Sequence, residues 1–328
     1  MNRGFTRFAW GFLGYNLLVI MWGAFVRASG SGAGCGAHWP SCNGEVIPRD
    51  ASVETLIELS HRITSGIAGL LTLVLVIWAF RAFSKGHGVR KAAVWTLVFM
   101  IIEALIGAGL VLFELVGDNA SMGRAVGLAI HLVNTLILIG WITLTAWRSQ
   151  EREPAFVDGA AKFSRFLAFG LIGLLILGAS GAITALGDTL FPAGSLSEGL
   201  RQDFSPTAHI LLRLRIWHPM IAVVVGGFMV GVSVLIVAGM ANDLVKRLAK
   251  AVIGLVTFQM FLGVINVLLL APIWMQLVHL LFADVLWICA FLLTVEVWRA
   301  ARTPESLPTL QGAGSSPPAE RVDAYVPA

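Results

Sequence analysis

His61, His131, His218 and His279 are the residues whose type and spacing point most directly to chemistry. Each stands near the start of an apolar run of helical length, two in each half of the chain. Two imidazoles at one depth on neighbouring membrane helices can reach a single iron from opposite sides, as a bis-histidine haem requires. The pairs would be His61 with His131 and His218 with His279. A lone membrane histidine is as readily a polar helix–helix contact, but four at matched positions argue for ligation. Zinc is disfavoured because acidic or thiol ligands do not cluster with the pairs. His38, His87 and His209 fall in loops and take loop or surface roles.

The surrounding residues fill in the chemistry. Haem propionates need cations, and Arg62, Arg124, Arg213 and Arg215 lie at the outer ends of the ligand helices; there guanidinium can pair with carboxylate or simply snorkel to headgroups. Glu58 precedes His61 by three residues and shares its helix face, whereas Arg215 holds the matching place before His218. A carboxylate beside one haem can move protons, although it also suits a helix N-terminus. Cys35 and Cys42 flank six residues of an outer loop, where a disulfide is allowed. It would be a staple shaping a lid or a thiol pair that relays electrons. Cys289 reads as packing. Glu103 and Asp284 are mid-membrane acids that need a partner or a proton. The glycines from Gly30 to Gly36 lack the Lys-Ser/Thr of a phosphate loop and fit close backbone packing.

The elements that must hold these residues are membrane helices. The chain is 57% hydrophobic and 13% charged, with mean hydropathy +0.82, outside the soluble range. A span takes about 20 apolar residues, and eight such runs occur, near 8–27, 60–80, 92–113, 125–147, 165–186, 216–239, 251–270 and 276–298. The first has no small-residue cleavage site and reads as a retained helix. Sixteen of the 23 Lys and Arg residues fall at the termini and in alternate loops, which predicts both termini to be cytoplasmic. The net charge of +4 reflects that bias, and nucleic-acid binding gains no support from it.

The runs repeat. Glu103 and Gly107 in the third run correspond to Gln259 and Gly263 in the seventh, an offset of 156, and His61 to His218 is an offset of 157. The expected fold is all-α: an integral eight-helix bundle of two four-helix repeats related by a pseudo-two-fold axis along the membrane normal. Residues 1–150 form the first half, 151–164 a cytoplasmic linker with Pro154, 165–300 the second half, and 301–328 a disordered cytoplasmic tail. The loops near 28–58 and 187–214 are where irregular structure could cover a site.

Glu58-Leu-Ser-His61-Arg62, the stretch from Val26-Arg27 through Cys35 to Trp39-Pro40-Ser-Cys42, the helices of Gly107 and Gly263, and His131, His218 and His279 together resemble bacterial haem A synthase. The likeness spans about residues 8–298. It implies an oxidoreductase of the bacterial cytoplasmic membrane that oxidises the C8 methyl of haem O to a formyl group through hydroxylated intermediates. By the same resemblance a haem b cofactor belongs to His218 and His279, the substrate haem O to His61 and His131, and the catalytic acid is Glu58. Cys35 and Cys42 match the family's outer-loop pair. Two departures stand out: residues 187–214 contain no cysteine, and Glu103 stands where a glutamine like Gln259 is expected.

Haem O synthase and an electron-transfer protein are the partners this implies, within a lipid bilayer. A di-haem b-type electron-transfer cytochrome is the alternative, and it would more often carry haems at both membrane levels. A haem transporter or chaperone is a third reading, in which Glu58 is dispensable.

Overall fold

The computed structural model describes residues 2–49, 51–150 and 159–302. Ten helices follow in order: α1 Arg3–Ala28, α2 Val53–Ala82, α3 Gly88–Leu112, α4 Met122–Arg148, α5 Ala160–Leu190, α6 Leu196–Phe204, α7 Ile210–Arg215, α8 Trp217–Gly239, α9 Asp243–Leu268 and α10 Ile273–Ala300. Eight spans are long and apolar enough to cross a membrane, with α7 and α8 together making one from Ile210 to Gly239. This is a multi-pass, all-helical membrane bundle. The helices overrun the apolar runs because polar caps extend them: Ser52 accepts from the Thr55 amide, Ser121 from Arg124 and Asn242 from Val245, each satisfying an amide that the first turn leaves open.

Helices α1 to α4 pack in sequence and close through α1 on α4, and α5, α8, α9 and α10 close the same way through α10 on α5. The two four-helix rings meet where α1 and α4 lie against α5 and α10. Small residues allow that approach. A side chain at Gly140 of α4 would meet the Phe291 ring of α10, and one at Gly178 of α5 would meet Leu136 of α4. Leu136, Ile139, Ile142, Leu174, Leu286 and Leu293 are buried in the core that runs through both rings, and Cys289 packs against it. Polar ties hold the end away from the histidines: Trp147 Nε1 donates to Glu296 at 2.8 Å, and the Thr6 and Ser149 hydroxyls lie 2.8 Å apart.

Two features differ from the sequence reading. The stretch near 187–214 is largely helical, because α5 runs on to Leu190 and α6 and α7 follow. The break at Ile216 has a local cause: Pro219 has no amide to give the Arg215 carbonyl. Helix α5 also begins at Ala160, inside the expected linker. The rest of that linker, 151–158, and residues 303–328 of the expected tail lie outside the described residues.

Candidate functional site: two imidazole pairs at one end of the bundle

Each of the four histidines lies within the first three turns of its span, and all four are half-buried. Each is faced by a glycine from the preceding membrane helix. A Cβ on Gly23 would come within 2.8 Å of His61 Cε1, and one on Gly181 within 3.0 Å of His218 Cε1. At Gly107 and Gly263 the corresponding distances, to His131 and His279, are 3.9 and 3.5 Å. The imidazoles therefore lie against bare helix backbone. The His218 and His279 ring centres are 6.3 Å apart with planes at 78°. Two imidazole nitrogens, each about 2 Å from one metal, place ring centres about 6 Å apart, so this pair fits axial haem ligation. His61 and His131 are near enough to interact electrostatically.

The polar surroundings of the pairs differ. Nδ1 of His218 lies 3.0 Å from Ser180 Oγ. Gln259 Nε2 donates to the His279 carbonyl at 2.8 Å, and His279 Nδ1 is buried without a hydrogen-bond partner among the described residues. In the other ring, Glu103 Oε1 stands 3.3 Å from His131 Nδ1, off the line of a hydrogen bond. Glu103 accepts from Asn134 Nδ2 at 2.5 Å and from the Thr135 hydroxyl.

Glu58 is 4% exposed and bonded on both oxygens. Oε2 accepts the Cys35 amide at 2.8 Å, and Oε1 accepts Arg62 at 2.5 and 3.1 Å. Arg62 Nη1 in turn donates to the carbonyls of His38 and Ser41, both at 2.6 Å. Cys35 and Cys42 form a disulfide, and both are fully buried. Glu58 and Arg62 thus clamp the disulfide loop onto α2. Gly34 makes the contact possible, since a Cβ there would fall 2.5 Å from the Glu54 backbone; the Gly34 carbonyl accepts from Thr55 Oγ1 at 2.7 Å.

The other arginines have partners of their own. Arg215 pairs with Asp188 at 3.0 Å and Asp203 at 2.6 Å. Arg124 Nη1 donates to the carbonyls of Gly117 and Asn119, closing the α3–α4 turn. Arg213 is exposed. His87 and His209 accept amide protons at the starts of α3 and α7, the loop roles their positions suggested. Asp284 is fully buried, with both oxygens unpaired among the described residues.

Several residues emerge only in three dimensions. Arg27 Nη1 donates to Ala185 O at 2.7 Å and to Thr189 Oγ1 at 2.6 Å, and Nη2 donates to Gln276 Oε1 at 2.8 Å; this ties α1 to α5 and α10 between the two pairs. Gly23 and Gly181 are 158 positions apart, almost the His61–His218 offset, so the repeat alone could have marked them.

Comparison with known proteins agrees with this architecture. The family model described as cytochrome oxidase assembly protein, COX15-CtaA, matches residues 6–291. A protein of Thermus thermophilus named protoheme IX farnesyltransferase is 50% identical over 299 residues, which are 91% of this chain and 49% of that protein. Heme A synthase of Halalkalibacterium halodurans is 38% identical over 141 residues, 43% of this chain and 46% of that one. Heme A synthase of Geobacillus kaustophilus is 35% identical over 160 residues, 49% of this chain and 48% of its own. The chain spans about half the length of the curated relatives it matches. By a match that covers most of its length, the chain belongs to the COX15-CtaA family of cytochrome oxidase assembly proteins.

Proposed function

We propose that this chain works in haem A biosynthesis as an oxidoreductase, converting the C8 methyl of haem O to a formyl group through hydroxylated intermediates. The observation that carries the reading is a glycine facing each of the four imidazoles, with the His218 and His279 rings 6.3 Å apart, together with family membership. His218 and His279 would hold haem b, which when bound supplies one-electron transfer. His61 and His131 would hold the substrate haem O, with Gly23 and Gly107 leaving room beside the rings.

Glu58, one turn before His61, presents both oxygens as acceptors, and we assign it the proton released during oxidation of the substrate methyl. Its bonds to the Cys35 amide and Arg62 fix where that proton is received. The disulfide loop shields that side of the site from water. Arg213, exposed at the histidine end, is the arginine best placed for a propionate; Arg62, Arg124 and Arg215 are already engaged within the chain.

The repeat reading rests on the matched glycine–histidine contacts, and it relates the halves by an axis along the membrane normal. The bias of basic residues puts both termini in the cytoplasm and the histidines near the outer face of the bacterial cytoplasmic membrane. The Thermus thermophilus relative has about twice the length of the matched segment. Its name suggests that a haem farnesylating unit, the source of haem O, works beside a bundle like this one and hands the product over within the bilayer.

The test is expression with a haem O supply, followed by mass spectrometry of the extractable haems. Wild type is expected to yield haem A or its hydroxylated precursor, and Glu58→Ala and His218→Ala to yield neither. Unmodified haem b alone in wild type would overturn the reading in favour of a di-haem electron-transfer cytochrome.

A further inference from the structure

We infer that Glu103 is a positioning residue that makes His131 a more strongly electron-donating axial ligand than any of the other three histidines, and so sets the two iron sites at different reduction potentials. The inference rests on the reading that His61 with His131 and His218 with His279 each hold one porphyrin.

Glu103 and Gly107 are one turn apart on α3 and share a face, and together they cradle the His131 ring. The glycine leaves room at Cε1, 3.9 Å from where its Cβ would be, and the carboxylate meets Nδ1 at 3.3 Å. The carboxylate is itself held in place. Asn134 Nδ2 donates to Oε2 at 2.5 Å and also reaches the Phe99 carbonyl at 3.1 Å. The Thr135 hydroxyl has one proton and two acceptors within reach, Glu103 Oε1 and the His131 carbonyl. Asn134 Nδ2, which can only donate, faces the carboxyl group from α4.

The second ring repeats the cradle with an amide. Gln259 and Gly263 have the same spacing on α9, and Gly263 faces His279 Cε1 at 3.5 Å. Yet Gln259 gives its NH2 to the His279 backbone, and among the described residues neither its buried Oε1 nor His279 Nδ1 has a hydrogen-bond partner. An amide therefore suffices to fill this place in a membrane helix. An acid in the matching place carries a desolvation cost that filling space does not require. A histidine bound to metal through Nε2 presents Nδ1–H to its outer neighbour, and a carboxylate there raises the basicity of the ligand. A more basic ligand stabilises the more oxidised iron. The His61/His131 iron would then have the lower reduction potential of the two.

The experiment is a spectroelectrochemical titration of full-length protein with haem b loaded into both sites, using His131→Ala and His279→Ala to assign each potential. Glu103→Gln is expected to raise the His61/His131 potential, changing its ferric-to-ferrous ratio at fixed potential about tenfold, or about 59 mV, while the other site stays put. Gln259→Glu is expected to lower the His218/His279 potential, and it tests the same cradle independently should Glu103→Gln lose its haem. Unchanged potentials in haem-replete Glu103→Gln, or in Gln259→Glu, would overturn the inference. If His131→Ala keeps both haems, the assignment of sites fails instead.

Discussion

Around His61 and His131 the chain places carboxylates, with Glu58 under the disulfide loop and Glu103 beside His131 Nδ1. Around His218 and His279 it places a hydroxyl and an amide, Ser180 and Gln259. Of the acids of that second ring, Asp188 and Asp203 are spent on Arg215, and Asp284 is buried on α10 five residues beyond His279. The backbone device, a glycine against each imidazole, is common to both. What differs is the group held against the imidazole pair, a carboxylate beside His131 and a hydroxyl beside His218. The same bundle can therefore offer one site suited to chemistry on its porphyrin and another suited to passing electrons.

The contrast is broken most severely at Glu58. Glu58→Ala is expected to cut conversion of haem O roughly 1,000-fold, the scale of a lost general base, while the visible spectrum of the His218/His279 haem is retained. Conversion within tenfold of wild type would remove Glu58 from the proton path. On the other side, Arg215→Leu removes the cation that bridges Asp188 and Asp203. A loss of roughly 3 kcal/mol is expected, seen as thermal release of the His218/His279 haem well before that of its neighbour; simultaneous release of both haems would argue against a locally confined role.

Smaller effects sharpen the comparison. A Cys35→Ser/Cys42→Ser variant frees a short loop from a cross-link worth about 2 kcal/mol. Limited proteolysis should then cut within residues 36–49 and leave α6 to α8 as resistant as before. Among the glycines, Gly23→Ala and Gly181→Ala put a methyl at 2.8 and 3.0 Å from an imidazole carbon. Overpacking of this kind costs about 1–3 kcal/mol, so haem occupancy of the affected site should fall about tenfold in a titration. Gly107→Ala and Gly263→Ala, at ordinary contact distance, should bind haem as wild type does. Equal losses in all four would mean that the glycines serve helix packing generally.

The spans and the placement of the histidines were legible because each depends on local features: about 20 apolar residues, and one histidine near the start of each of four runs. The short helices α6 and α7 were not, since nine- and six-residue segments leave too little periodicity to distinguish from loop. The clamp on the disulfide loop was half legible. Glu58 and Arg62 are four apart on one helix, but nothing in the sequence shows that their remaining bonds go to Cys35, His38 and Ser41. Arg215 was read as awaiting a propionate because its own carboxylates are distant along the chain: it meets Asp188 across 27 residues and Asp203 across 12. Glu103 stood out as a departure from Gln259, and only folding α4 onto α3 supplied its partners, His131, Asn134 and Thr135.

The most direct test of two unlike sites is the haem composition of single-site variants. Protein expressed with both haem b and haem O is purified as His131→Ala and as His279→Ala, and the haems of each are identified by mass spectrometry. The account predicts only haem b in His131→Ala and only farnesylated haem, converted or not, in His279→Ala. The same mixture of haems in both variants would contradict it.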